Sequence, residues 1–267
     1  MPSRRSLSGD PAAPRPAATL APGEVEVIQG DPATGMLLLC DHASNAIPPE
    51  LDALGLPPAQ LERHIAYDIG AAEMTRAMAR ALGAPAVLSN FSRLLIDPNR
   101  GLDDPTLVMR LSDGAIVPGN RHIDADGIAL RVARYYEPYD AAIGLAIEAA
   151  LAAGYPPAII ALHSFTPFWK GVARPWHVGV LWDYEGRLAR PLIAALQQEG
   201  DLVVGDNEPY HGGLPGDTID RHVTRRGLAD ALIEVRQDLI AGDATARDWG
   251  VRLARIVAPC VSALAAA

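Results

Sequence analysis

Met36-Leu37-Leu38-Leu39-Cys40-Asp41-His42 and Ala158-Ile159-Ile160-Ala161-Leu162-His163-Ser164 are two short apolar runs, each closed by a histidine. A short apolar run bounded by turn residues reads as a buried strand, so both imidazoles fall at strand ends, where open α/β sheets place their ligand sites. Two histidines so placed point to a metal.

Further apolar runs at about 86–89, 93–97, 178–182, 201–204 and 231–236 read as strands, and several are separated by stretches long enough for a helix. That alternation predicts an α/β fold with a mostly parallel sheet. The first helix is expected over about 57–82, with Leu61, Ile65, Ile69 and Ala72 at helical spacing and Gly83 closing it. Others are expected at about 127–153, bent near Pro138, at 185–199 and at 244–264. The segment 101–123 is rich in Gly, Pro, Asp and Asn and reads as a long, lid-like excursion over the sheet.

Nothing in the composition divides the 267 residues, so a single domain is expected over 25–267. Residues 1–24 are Pro-, Ala- and Gly-rich, lack the apolar core of a signal peptide, and read as a disordered tail. Hydrophobic residues make up 49% of the chain, yet no apolar stretch approaches the roughly 18 residues of a membrane span. The net charge of -9 is interspersed rather than patched, which argues against nucleic acid as a partner. Lysine occurs only at Lys170, so a fixed cation in a site is an arginine, the residue suited to two-point recognition of carboxylates. Cys40 and Cys260 form neither a CxxC pair nor a disulfide framework and read as core thiols in a reducing cytoplasm.

Within Asp41-His42-Ala43-Ser44-Asn45, Asn45 follows His42 by three residues, a spacing that lets two side chains reach one ion. The competing reading is an Asp-His pair capping a turn with Ser44 and Asn45. Asp68 is the other candidate oxygen ligand, four residues after His64, which itself reads as an ordinary surface partner. His163 supplies the second imidazole, and two imidazoles with one oxygen leave a coordination position open for water, as hydrolytic zinc sites require.

In Arg93-Leu94-Leu95-Ile96-Asp97-Pro98-Asn99-Arg100, Pro98 turns Asn99 and Arg100 off the end of the run, where Arg100 is placed to clamp a carboxylate. Arg93 reads either as a second cation for the substrate or as a salt-bridge partner of Asp97. Glu234 lies inside the apolar run 231–236, where a carboxylate is costly unless paired or functional; Arg236 on the same strand face is the alternative explanation. Tyr210 in the polar loop 206–213 and His222 among Arg221, Arg225 and Arg226 are candidate substrate donors. A Gly-rich phosphate loop, a GxSxG elbow, an HExxH helix and a CxxC pair are all absent, which demotes nucleotide and serine-hydrolase readings.

These segments together resemble the N-formylglutamate amidohydrolase family: 41–45, His64 to Gly70, Ser92 to Arg100, His163-Ser164, Asp206 to Tyr210, and His222 through Asp238. That family is distantly similar to the zinc carboxypeptidases and aspartoacylases, and the resemblance implies a single-domain, three-layer α/β/α fold with a mixed, mostly parallel sheet. It implies that His42 and His163 are ligands of zinc or another divalent metal, and that Asn45 stands where the distant relatives have a glutamate ligand. Asn99-Arg100 then match the substrate clamp and Glu234 the general base. The implied reaction is hydrolysis of a small N-acyl amino acid, first of all N-formyl-L-glutamate. Competing readings are a deacylase or carboxypeptidase-like hydrolase of another amide, and a non-catalytic metal-binding homologue.

Overall fold

A computed structural model describes residues 23–265. The strands run, in chain order, β1 Val25–Ile28, β2 Met36–Cys40, β3 Ala86–Ser89, β4 Leu111–Ser112, β5 Ala115–Ile116, β6 Ala158–Phe165, β7 Phe168–Trp169, β8 Val172–Ala173, β9 Val178–Leu181, β10 Val204–Asp206 and β11 Asp230–Arg236. The α-helices are α1 Pro58–Leu61, α2 Ala71–Leu82, α3 Ala125–Arg131, α4 Glu137–Ala152, α5 Ala189–Gln198, α6 Thr218–His222 and α7 Asp243–Ala265.

Seven strands form one sheet in the order β1-β3-β2-β6-β11-β9-β10, while β4-β5 and β7-β8 are separate two-stranded hairpins. The four central strands β3, β2, β6 and β11 are mutually parallel. The sheet is mixed because β1 runs antiparallel to β3 and β9 antiparallel to β11.

All five residues of β2 and all eight of β6 are buried, as expected of central strands covered on both faces. Side chains of successive strand residues point to opposite faces, and the two cores divide accordingly. Met36, Leu38, Cys40, Ile160 and Leu162 pack with α2, α5 and α7. Leu37, Leu39, Ile159 and Ala161 pack with Tyr139, Ile143 and Ile147 of α4 and with the loop bearing Leu94 to Ile96. The result is the three-layer α/β/α architecture. Cys40 and Cys260 are both buried free thiols.

Three local expectations are corrected. The first helix is not continuous over 57–82, because the backbone between α1 and α2 is bonded elsewhere: Asp68 N donates to His42 O (3.0 Å), and Ala66 O accepts from Arg93 N (3.1 Å). Gly70 then enters α2 with φ of +80°, so close to Ile240 that a Cβ there would clash with its carbonyl oxygen. The run 93–97 is buried but forms no strand; Leu95 N closes a turn on Ser92 O (2.9 Å) and Asp97 N bonds Leu107 O (2.8 Å). The helix near 127–153 is not a single α-helix: α3 passes through a π-helical turn, Val132–Tyr136, into α4 without leaving helical dihedrals, and Pro138 sits in the first turn of α4, where its missing N–H costs little.

The segment 101–123 carries the β4-β5 hairpin and is tied down by Asn120, whose amide donates to Leu94 O (2.7 Å) and Met109 O (2.8 Å). Of the tail expected over 1–24, residues 1–22 lie outside the described residues; Glu24 O accepts from Asn90 N (3.0 Å). Among the described residues no helix is long and apolar enough to cross a membrane.

Candidate active site

The adjacency of β2, β6 and β11 brings three candidate side chains, His42, His163 and Glu234, to one end of the sheet. His42 leaves β2 two residues past its last strand residue, while His163 sits inside β6, which continues to Phe165. Parallel register places Glu234 opposite His163 on the neighbouring strand.

The turn between α1 and α2, not a helix face, carries Asp68 to the two histidines. Asp68 Oδ2 lies 2.8 Å from His163 Nδ1 and 3.2 Å from His42 Nδ1, and the two rings meet edge to face at 5.1 Å. All three residues are buried, and one potential ligand atom from each lies within 4.8 Å of the others. The opposite nitrogens are also held: His42 Nε2 by Asp97 Oδ1 (2.8 Å) and His163 Nε2 by Asp41 Oδ2 (3.1 Å). Asp41 is anchored in turn by Thr218 Oγ1 (2.7 Å) and Tyr139 Oη (3.0 Å), both donating to its Oδ1. A carboxylate behind each imidazole fixes ring orientation and raises basicity, the arrangement found around metal-binding histidines. Two imidazole nitrogens and one carboxylate oxygen therefore suit zinc or a similar divalent ion.

The charges are tightly balanced. Burial works to raise the Asp68 carboxyl, but His42 and His163 outweigh it and hold Asp68 well below the usual carboxylate range. Burial works against the His163 cation, and Asp41 and Asp68 overcome it, raising His163 well above an ordinary imidazole. Arg93 bonds Asp97 through Nε (3.1 Å) and Nη2 (2.7 Å) and reaches Asp68 at 3.5 Å. Its guanidinium thus belongs to the scaffold of the group while also lining the cavity.

A cavity of about 320 Å³ opens over this cluster, lined by His42, Asp68, His163, Arg93, Asn99, Arg100, Tyr210 and Glu234 among others. Glu234 is buried and its Oε2 has no hydrogen-bond partner among the described residues. Burial pushes its carboxyl up to about 7, against the opposing pull of His163. Arg236 pairs with Asp238 (2.7 Å) rather than with Glu234. Arg100 bonds Asn99 O (2.7 Å) and Thr106 Oγ1 (3.2 Å), and Asn99 is pinned by Thr218 N (3.1 Å). Tyr210 Oη accepts from Arg174 (3.0 Å), and that guanidinium also lies 4.9 Å over the Tyr210 ring.

Two sequence candidates are not brought into the cluster. The Asn45 amide donates to Leu61 O (3.0 Å) and Glu62 Oε1 (3.3 Å), and the residue does not line the cavity. His222 is buried against Asp140 of α4 (2.6 Å) and likewise does not line it. His64 pairs with Asp113 (3.4 Å) rather than Asp68. The functional carboxylates that sequence reasoning left out are Asp41 and Asp97. Asp41 precedes His42 in the motif but bonds the other histidine, and Asp97 bonds His42 as well as the Arg93 that its sequence spacing suggests.

An α/β sheet that gathers a buried His-Asp-His group, an unpaired carboxylate and cavity-lining arginines at its strand ends has the form of a hydrolase site. The family model of N-formylglutamate amidohydrolase matches residues 34–241, and the chain belongs to that family. The crystal structure of the gene product Atu2144 of Agrobacterium tumefaciens superposes with a TM-score of 0.84 at 31% identity, covering 91% of this chain and 96% of that one. That of N-formylglutamate amidohydrolase from Ralstonia eutropha JMP134 superposes with a TM-score of 0.68 at 20% identity, covering 91% and 97%. No curated protein matches the chain.

Proposed function

We propose that this amidohydrolase-family protein hydrolyses the amide of an N-acyl amino acid, first of all N-formyl-L-glutamate, giving formate and L-glutamate. The observation that supports it best is the placement of Glu234: a buried carboxylate with a free oxygen, sharing one cavity with His42, Asp68 and His163.

His42, Asp68 and His163 would hold zinc or another divalent ion. Bound there, it supplies Lewis acidity toward the acyl oxygen and toward water. Glu234 takes a proton from the attacking water and delivers it to the departing amine nitrogen. Both halves of that task need a carboxyl that is ionised before attack and protonated after it, and burial moves Glu234 toward the pH at which it can do both. Arg100 holds a substrate carboxylate, with Asn99 and Tyr210 beside it. The buried free thiols Cys40 and Cys260 suit a cytoplasmic setting.

The test is formate release from N-formyl-L-glutamate by protein stripped with a chelator, with and without added zinc. Zinc-dependent release supports the whole reading. Release that ignores both chelator and metal removes the metal, and no release with any divalent ion removes this substrate.

A further inference from the structure

A second cavity, of about 460 Å³, adjoins the first and shares Leu181, Leu214, Asp217 and Leu232 with it. Asp183, Glu185, Asp217, Asp220 and Asp230 line it, and no Arg, Lys or His does. Some of this charge is answered from outside: Glu185 bonds Arg187 (2.7 Å), and Asp220 has Arg225 at 4.0 Å. Asp230 differs. It is 5% exposed, faces the cavity, and has no ion-pair or side-chain hydrogen-bond partner among the described residues. A buried carboxylate left so is costly unless it takes up a proton or something supplies the missing charge.

We infer that this second cavity is a subsite for an organic cation, an ammonium or guanidinium group carried by the substrate some distance from the scissile amide. The inference rests on the amide-hydrolase reading for its substrate class, but not for the subsite itself. Three features select an organic cation over a metal ion. Only His42, Asp68 and His163 bring three ligand atoms within 4.8 Å of one another among the described residues, so the acids of this cavity are spread too widely for ready chelation. Tyr184 adds aromatic surface to its wall, while Trp182 beside it already stacks with the Arg190 guanidinium at 4.6 Å, so Tyr184 is the ring left to a large, weakly hydrated cation. Half-apolar walls of Leu181, Leu214 and Leu232 suit a methylene chain.

The strand itself sets the span. Asp230, Leu232 and Glu234 alternate along β11 and so share one face, with Leu232 lining both cavities. Four residues of strand cover about 13 Å. An occupant that reaches both ends therefore has the length of a short peptide rather than of one amino acid. Burial, with Glu185, Asp217 and Asp183 adding to it, pushes the Asp230 carboxyl up to about 7, as expected where charge of one sign is gathered without its complement.

The experiment titrates agmatine into the full-length protein, the wild type and the variants Asp230→Asn and Asp183→Asn, by calorimetry, and follows N-formyl-L-glutamate hydrolysis by the same samples. Asp183 is exposed, so its variant keeps the test meaningful if Asp230→Asn does not fold. The expected result is saturable binding to the wild type, weakened about tenfold or more by either variant, with hydrolysis unchanged in Asp183→Asn. A formylated tripeptide ending in lysine should then be cleaved more efficiently than its norleucine counterpart, and Asp183→Asn should shrink the difference. Absence of agmatine binding, equal binding by all three proteins, or magnesium binding at the same residues in place of agmatine overturns the subsite. Binding that depends on these acids in a protein that cleaves no formyl amide leaves the subsite standing and removes the proposed reaction instead.

Discussion

Glu234 stands in register with His163 on the adjacent parallel strand, so the spacing between carboxylate and imidazole is set by sheet hydrogen bonding rather than by a loop. Strand side chains alternate faces, and a slip of one residue in β11 would carry Glu234 to the opposite layer. The position is therefore rigid by construction, which is what a group that must meet a water at fixed distance requires. Glu234→Gln keeps the shape and removes the proposed base. Turnover of N-formyl-L-glutamate is expected to fall by about 10²–10⁴ while zinc content and substrate affinity hold. Near-normal turnover in that variant would take the base role from Glu234.

The choice of oxygen ligand is equally open to a direct measurement. Asp68 approaches both imidazoles, whereas the Asn45 amide is spent on Leu61 O and Glu62. Asp68→Asn should abolish stoichiometric zinc binding at micromolar metal, and Asn45→Ala should retain it. Elemental analysis of the two purified variants checks this, and the opposite pattern would restore Asn45 as the ligand.

Much of the frame was legible because the central strands are buried on both faces. Continuous apolar runs at 36–40 and 158–162 have no other ready explanation in a chain with turn residues at their ends. Strand β1 escaped the same reasoning: it is a short, half-exposed edge strand whose Val25-Glu26-Val27-Ile28 carries little pattern. The run 93–97 misled for the converse reason. Leu94, Leu95 and Ile96 are buried like a strand, yet apolar content reports burial and not backbone pairing, and the amides of Leu94 and Leu95 turn back on Ser92 Oγ and Ser92 O. Helical spacing from His64 points to Asp68, but what delivers it is a turn stabilised by His42 O and Arg93 N, contacts between segments far apart in the chain. The roles of Asp41 and Asp97 are of the same kind, since each acts on a histidine that only the tertiary fold brings near.

Asp230 makes a further measurement available through the pH dependence of stability. Its folded carboxyl lies at about 7, above its ordinary value of 3.8, because of burial and because Glu185 and Asp183 after β9 and Asp217 at the N-cap of α6 face it, with Arg187 a weaker opposing charge. The folded state thus holds the proton more tightly than the unfolded chain. Below about pH 4 both states are protonated and the residue costs nothing. Between about 4 and 7 the unfolded chain ionises first and stability is lost, and above about 7 the full cost is present. Asp230→Asn should match the wild type in urea unfolding near pH 4 and exceed it by about 2–4 kcal/mol near pH 8. A constant difference across that range would contradict the assignment.

Arg93 and Arg100 both line the cavity but differ in what already holds them, and this predicts different kinetic consequences. Arg93 is committed to Asp97 through two nitrogens and reaches Asp68 at 3.5 Å, so its charge is absorbed by the carboxylates that position the histidines. Arg100 makes its bonds to a carbonyl, Asn99 O, and a hydroxyl, Thr106 Oγ1, neither of which neutralises it. Of the two arginines that line the cavity among the described residues, Arg100 is therefore the one whose guanidinium no carboxylate bonds. Arg100→Ala should raise KM for N-formyl-L-glutamate by about 10–100-fold with a smaller change in kcat, the mark of lost ground-state binding. Arg93→Ala should instead lower zinc affinity and kcat together, because Asp97 and Asp68 lose the charge that holds them in place. Steady-state kinetics of the two variants at saturating zinc, paired with chelator competition, separates the cases. A raised KM in Arg93→Ala with zinc affinity intact, alongside a silent Arg100→Ala, would exchange the two roles.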